Sequence, residues 1–133
     1  MSDVKPAPVP NADSETFWAA CADERLTVQK CSACGAVQHY PRSLCVACGS
    51  HDLEMIEASG RGEVFTFTVN HRAPTPAFAA DAPYVIALID LEEGPRMMMN
   101  VIGCDPSEVR IGMKVKVVFE ARGEMKLPQA TPA

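Results

Sequence analysis

Positive charge is scarce in this chain: twelve Lys and Arg stand against seventeen Asp and Glu in 133 residues, a formal charge of −5. Proteins that hold phosphate backbones do so with cations that displace counterions, so the balance argues against nucleic acid as a partner. The deficit is uneven. Residues 59–133 carry eight of the twelve cations against nine acids, which leaves the second half nearly neutral and able to hold a local site for a small anion. Long apolar runs are missing too, since none approaches the eighteen residues that a membrane-spanning helix needs. The first residues have neither the basic start nor the apolar stretch of a secretion signal, so a cytoplasmic protein with no membrane partner is expected. Aromatic residues are few, one Trp, two Tyr and five Phe, and there are only three His. No Ser/His/Asp or Cys/His arrangement stands out, so the residues do not outline a nucleophilic or acid–base catalyst.

What the chain does have is a paired cysteine pattern. Cys31 and Cys34, then Cys45 and Cys48, form two C-x-x-C units ten residues apart, each followed at once by a glycine, Gly35 and Gly49. A C-x-x-C turn aims both sulfurs at one point, and the glycine lets the backbone turn away with its N–H groups facing the thiolates. Two such knuckles supply the closed four-sulfur shell of a structural Zn²⁺, with no open position for water or substrate. A disulfide pair or a redox C-x-x-C is the competing reading, but nothing suggests secretion and the doubling with matched glycines favours metal. Iron in a tetrathiolate shell has the same ligands, and the sequence does not separate it from zinc. Cys21 and Cys104 stand apart and read as free thiols in the packing. His39, between the knuckles, reads as a surface residue or a neighbour of the ligands.

The remaining pattern is mainly β. Residues 1–11, with three prolines, read as a flexible tail. Residues 12–58 hold a short helix, capped by Asp13 or Ser14 and running to about Ala22, followed by the metal ribbon. Phe17, Trp18 and Cys21 share a side of that helix. Residues 59–122 carry alternating strands: EVFTFTVN, with Phe65, Phe67 and Val69 facing one way, YVIALIDL, RMMMNVI after an E-G-P turn, and a last strand through Met113, Val115, Val117 and Phe119. Alternation sends Met98 opposite to Met97 and Met99. Asp105, Pro106 and Glu108 signal one helical turn. So few strands hide their edges only by curling shut, which predicts an OB-fold barrel, with the ribbon as an appendage beside it and 123–133 as a flexible C-terminal tail. The connection 71–83 is long for a hairpin and reads as a candidate binding loop, with His71 and Arg72 at its root and Phe78 at its crown.

From Phe17 to Glu120 the chain resembles the zinc-ribbon OB-fold family once called domain of unknown function 35. The helix with its Phe-Trp pair, both knuckles, the S-G-R-G-x-V entry, the E-G-P-R turn, the G-C-D-P step and the R-I-G-M-x-V ending occur in order. The resemblance implies an N-terminal helix, a rubredoxin-like zinc ribbon holding one structural Zn and a C-terminal OB barrel. It also implies acyl-CoA metabolism, with the chain as a non-catalytic accessory subunit of a thiolase-superfamily enzyme, a lipid-transfer-protein-like aldolase or an acyl-CoA hydratase. Carried over, the ligands are Cys31, Cys34, Cys45 and Cys48. Phe17, Trp18, His71 and Arg72 are the candidate acyl-CoA or partner contacts, on the chemistry of an aromatic face and cationic groups for phosphate.

Three other functions fit parts of the pattern. A free-standing acyl-CoA-binding protein would use the barrel mouth and the 71–83 loop. A single-stranded nucleic-acid binder would need a basic groove and stacking aromatics, and here only Phe65 and Phe67 form a close pair. Electron transfer through an iron tetrathiolate would require a coloured protein.

Overall fold

The computed structural model describes residues 4–133, so the first three residues of the expected tail lie outside the described chain. Residues 4–11 do not hang free. The carbonyl of Pro6 accepts from Arg122 at 3.1 Å, and Lys5 pairs with Asp81. Asn11 prepares the helix α1, Glu15–Ala22, by accepting the N–H groups of Asp13 and Ser14 on its Oδ1 at 3.1 and 2.9 Å and that of Glu15 on its carbonyl. The expected caps are therefore replaced by an Asx turn upstream, and Ser14 makes no side-chain cap. Phe17, Ala20 and Cys21 are the buried positions of α1, and burial pushes the Cys21 thiol up to about 11.

The ribbon is a small antiparallel sheet of β1 (Thr27–Cys31), β2 (Val37–Gln38) and β3 (Leu53–Glu57), in the order β2-β1-β3. The second unit is a closed barrel of β4 (Arg61–Asn70), β5 (Tyr84–Leu91), β6 (Arg96–Val101), β7 (Lys114–Arg122) and β8 (Met125–Pro132), in the order β4-β5-β6-β8-β7. This is the OB-fold, and the chain is mostly strand. The three methionines alternate as expected, with Met97 and Met99 buried and Met98 55% exposed. Along β4 the alternation departs from expectation. A β-bulge between Val64 and Thr66 makes Phe65 an extra residue, so Val64, Phe67 and Val69 pack inward while Phe65 turns out under the Arg96 guanidinium, 3.5 Å from its ring centre.

Two further expectations are corrected. The segment 123–133 is no tail: after a turn at Gly123, β8 pairs with β7 from Arg122↔Met125 to Val115↔Pro132 and meets β6 in parallel at Val101↔Ala130. Nor is the ribbon an appendage. Phe17, Cys21, Leu26 and Val28 belong to the same buried cluster as Val85, Ile89, Met97 and Val115 of the barrel, so helix, ribbon base and barrel share one core. The β5–β6 turn fastens the joint. Ser59, between ribbon and barrel, donates its N–H to Glu93 at 2.8 Å and its hydroxyl to Glu92 at 3.0 Å, while Arg61 donates to Glu92 at 3.0 Å.

Candidate metal centre and cleft

The two knuckles are built alike, hydrogen bond for hydrogen bond. In the first, Cys31 N–H donates to Ala36 and Gly35 N–H to Cys31; in the second, Cys45 N–H donates to Ser50 and Gly49 N–H to Cys45, all at 2.8 Å. Gly35 and Gly49 have φ of +79° and +78°, which side-chain-bearing residues adopt with strain, and that is why a glycine closes each turn. The four sulfurs lie within 4.8 Å of one another, and the Cys31–Cys48 and Cys34–Cys45 pairs are each 3.7 Å apart. A tetrahedral shell with metal–sulfur bonds of about 2.3 Å has edges of about 3.8 Å, so the donor set fits a tetrathiolate ion.

Local charge agrees with the geometry. The N–H groups of Cys48 and Ala47 hold the Cys45 thiol down to about 7, and the Cys34 N–H lowers Cys31 in the same way. Cys48 receives the Ser50 N–H, yet the Cys34 and Cys31 sulfurs crowding it push it up to about 12. The cradle thus favours some thiolates and resists a full set unless a divalent cation supplies the charge. Cys31 and Cys45 are buried, Cys34 and Cys48 exposed. An ion held by all four donors would serve structure and leave no place for a reacting ligand.

Two buried glutamines carry the ribbon from one knuckle to the other. Gln38 donates to Gln29 at 2.8 Å and to the Leu44 carbonyl at 3.2 Å, and accepts the Val46 N–H at 3.0 Å. Gln29 donates to the Arg42 carbonyl at 2.9 Å and accepts the Arg42 N–H at 2.8 Å. The pair replaces backbone pairing that β2, only two residues long, cannot give. Gln38→Leu should keep the metal but strip three partners of their bonds. The expected cost is about 1–3 kcal/mol, read as a lower melting temperature with unchanged metal content and faster exchange at the Val46 amide.

Helix, ribbon and barrel enclose a cleft of about 870 Å³, within the range of small-molecule sites. Phe17 and Trp18 line it from α1, His39, Tyr40 and Arg42 from the ribbon, and Met97, Met99, Arg122 and Gln129 from the barrel. The aromatic pair expected from the sequence is brought here, its rings edge to face at 5.0 Å. His71 and Arg72 are not; both are exposed just beyond β4 and outside the cleft lining. The cations at the cleft are Arg42 and Arg122 instead, and nothing local in the sequence marks them. Phe78, at the crown of the 71–83 loop, does line it, carried on a short 3-10 helix, Pro76–Asp81. His39 faces Phe17 and Tyr40 at 5.2 and 4.2 Å rather than the sulfurs, and burial pushes its imidazole down to about 4, so the ring is neutral near pH 7. Its Nδ1 is buried without a hydrogen-bond partner among the described residues. Among the described residues no helix is long and apolar enough to cross a membrane.

Comparison with known proteins agrees with both units. Residues 18–54 match the family model of the ChsH2 rubredoxin-like zinc ribbon domain, and residues 55–120 match that of the ChsH2 C-terminal OB-fold domain. A probable enoyl-CoA hydratase alpha subunit of Thermomonospora curvata is 40% identical over 131 residues, 98% of this chain and 40% of that protein. A DUF35 domain-containing scaffold protein of Methanocaldococcus jannaschii is 44% identical over 91 residues, 68% of this chain and 64% of that one. The chain therefore spans less than two thirds of these relatives. Among solved structures, a chain of an Ltp2-ChsH2(DUF35) aldolase superposes with a TM-score of 0.86 at 38% identity, covering 95% of this chain and 98% of its own.

Proposed function

We propose, from the premise that the chain belongs to the family of ChsH2 and DUF35 proteins with a rubredoxin-like zinc ribbon and an OB-fold domain, that it is a non-catalytic accessory subunit in acyl-CoA metabolism. It carries one structural Zn²⁺ on Cys31, Cys34, Cys45 and Cys48 and docks on a thiolase-superfamily, lipid-transfer-protein-like or hydratase subunit. There it supports the binding or turnover of an acyl-CoA. The observation that carries the reading is the cleft: an apolar wall with Phe17, Trp18 and the buried methionines suits an acyl or pantetheine chain, and Arg42 at its edge suits phosphate. His71 and Arg72, exposed beyond β4, are proposed as partner contacts. The names of the relatives, a hydratase alpha subunit, a scaffold protein and an aldolase, support a role inside an enzyme complex.

Co-expression with a candidate catalytic subunit tests this. The two should migrate together on gel filtration, and Trp18→Ala in the complex should raise KM for an acyl-CoA roughly three- to tenfold with little change in kcat. Separate migration, with the candidate fully active alone, counts against the reading. The second reading, a free-standing acyl-CoA binder, rests on the size of the cleft, since about 870 Å³ falls within the range of sites that hold a small ligand without help. Calorimetry distinguishes the two, since micromolar binding of octanoyl-CoA by the isolated chain supports the free-standing role.

A further inference from the structure

The cleft has a fastened side. Phe78 lines it from the 3-10 helix of the 71–83 loop, and two cations from distant parts of the chain converge on the Phe78 ring. Lys5 Nζ and the Arg122 guanidinium each lie 5.8 Å from the ring centre. Each is tied to its surroundings. Lys5 reaches the Asp81 carboxylate, at the end of the same short helix, at 2.5 Å. Arg122, with only 13% of its side chain exposed, donates to Glu120 at 3.1 Å and to the Pro6 carbonyl at 3.1 Å. Phe78 also packs on Tyr84, 6.5 Å between centres, whose hydroxyl accepts from Asn70 at 2.7 Å. Asp81, Glu120 and Arg122 line the cleft themselves. One extended stretch of the N-terminal segment thus spans from β7 to the loop and clamps it against the barrel.

The geometry points to a clasp: Lys5 and Pro6 hold the Phe78 loop closed over the cleft, and releasing them opens the cleft to larger guests. The contacts are of a kind that closes a loop without locking it. The Lys5–Asp81 pair is 31% and 41% exposed, so solvent and salt weaken it, and a cation over an aromatic face adds a second modest attraction. Apolar burial anchors the loop only weakly, because none of the residues Pro76–Asp81 is fully buried and only Ala77 and Phe78 are half-buried. A latch of this strength leaves the open state populated, and ionic strength shifts the balance. The inference concerns access to the cleft and holds whichever ligand the cleft takes.

Trp18, the single tryptophan, lines the same cleft and reports its opening. In the full chain, Lys5→Ala should increase quenching of Trp18 fluorescence by acrylamide about twofold and speed hydrogen exchange of the 76–82 amides roughly three- to tenfold. Raising NaCl from 0.05 to 0.5 M should increase quenching in the parent chain and leave Lys5→Ala almost unchanged. The exchanged pair Lys5→Asp with Asp81→Lys should restore protection, which a merely local disturbance of either site does not predict. Unchanged exchange and quenching in Lys5→Ala, or a double exchange no better protected than the single variants, would overturn the clasp. Because neither readout uses acyl-CoA, a failure of the acyl-CoA reading leaves this test intact.

Discussion

Cys45→Ser is expected to abolish stable metal binding and to cost about 4 kcal/mol or more of stability, the scale at which loss of a structural metal stands apart from ordinary substitutions. The reason lies in how little else holds the ribbon. Between Ser32 and Asp52 only Gln38 and Cys45 are buried, so this stretch has no apolar core of its own to fall back on. Cys45 is 1% exposed, accepts the Ala47 N–H at 3.4 Å, and sits on the far knuckle from β1. Without its sulfur the 32–52 segment loses the bond that folds it back. The barrel's share of the core, around Ile89 and Val115, does not pass through the metal. The expected picture is therefore a ribbon that exchanges freely beside a barrel that still melts, at a lower temperature. Elemental analysis should give one metal per chain in the parent and close to none in Cys45→Ser, whereas Cys104→Ser, outside the cluster, keeps its metal. A Cys45→Ser protein with full metal content and an unchanged melt would remove the structural role assigned to the centre.

The metal centre was readable from the sequence because everything it needs is local. Two sulfurs three residues apart with a glycine behind them dictate a turn, and doubling the turn dictates a shell. Strand alternation was readable for the same reason: in β6 a two-residue period alone puts Met98 opposite Met97 and Met99. In β4 that logic misplaced Phe65, because one inserted residue reverses the sense of every side chain after it and leaves no mark on composition. The cleft was half legible. Phe17 and Trp18 advertise themselves as a large aromatic face on a short helix. Arg42 and Arg122 do not, since each looks like an ordinary surface cation until the fold carries it to the cleft. His71 and Arg72 drew notice through their place at the root of a long loop, and loop length says nothing about which way the root faces. Gln29 and Gln38 gave a fainter signal, two long amides at strand positions flanking a knuckle, which only their cross-strand pairing turns into a brace.

A chain ended after Arg122 is expected to lose its cooperative barrel. The sequence 125–132, MKLPQATP, lacks β-branched residues but for Thr131 and carries two prolines, so propensity speaks against a strand. Position overrides propensity here. β8 lies between β7 and β6, pairs with β7 along its whole length, and buries Pro128, Gln129 and Ala130. Its bond to β6 is slender on the backbone, a single pair with the Ile102 N–H on the Ala130 carbonyl at 2.7 Å, and the Gln129 side chain completes it. That amide accepts the Asn100 N–H at 2.9 Å and donates to the Asn100 side chain at 3.2 Å and to Glu120 at 3.3 Å. Removing β8 opens the barrel between β6 and β7 and bares Val101 and Val115 to water. Because a domain of this size has a net stability of only about 5–15 kcal/mol, losing a central strand exceeds what remains. Circular dichroism should show no cooperative melt for the shortened chain. Gln129→Leu isolates the side-chain closure, with an expected loss of about 1–3 kcal/mol and no change in fold. If the shortened chain melted like the parent, β8 would be decoration on a four-stranded core.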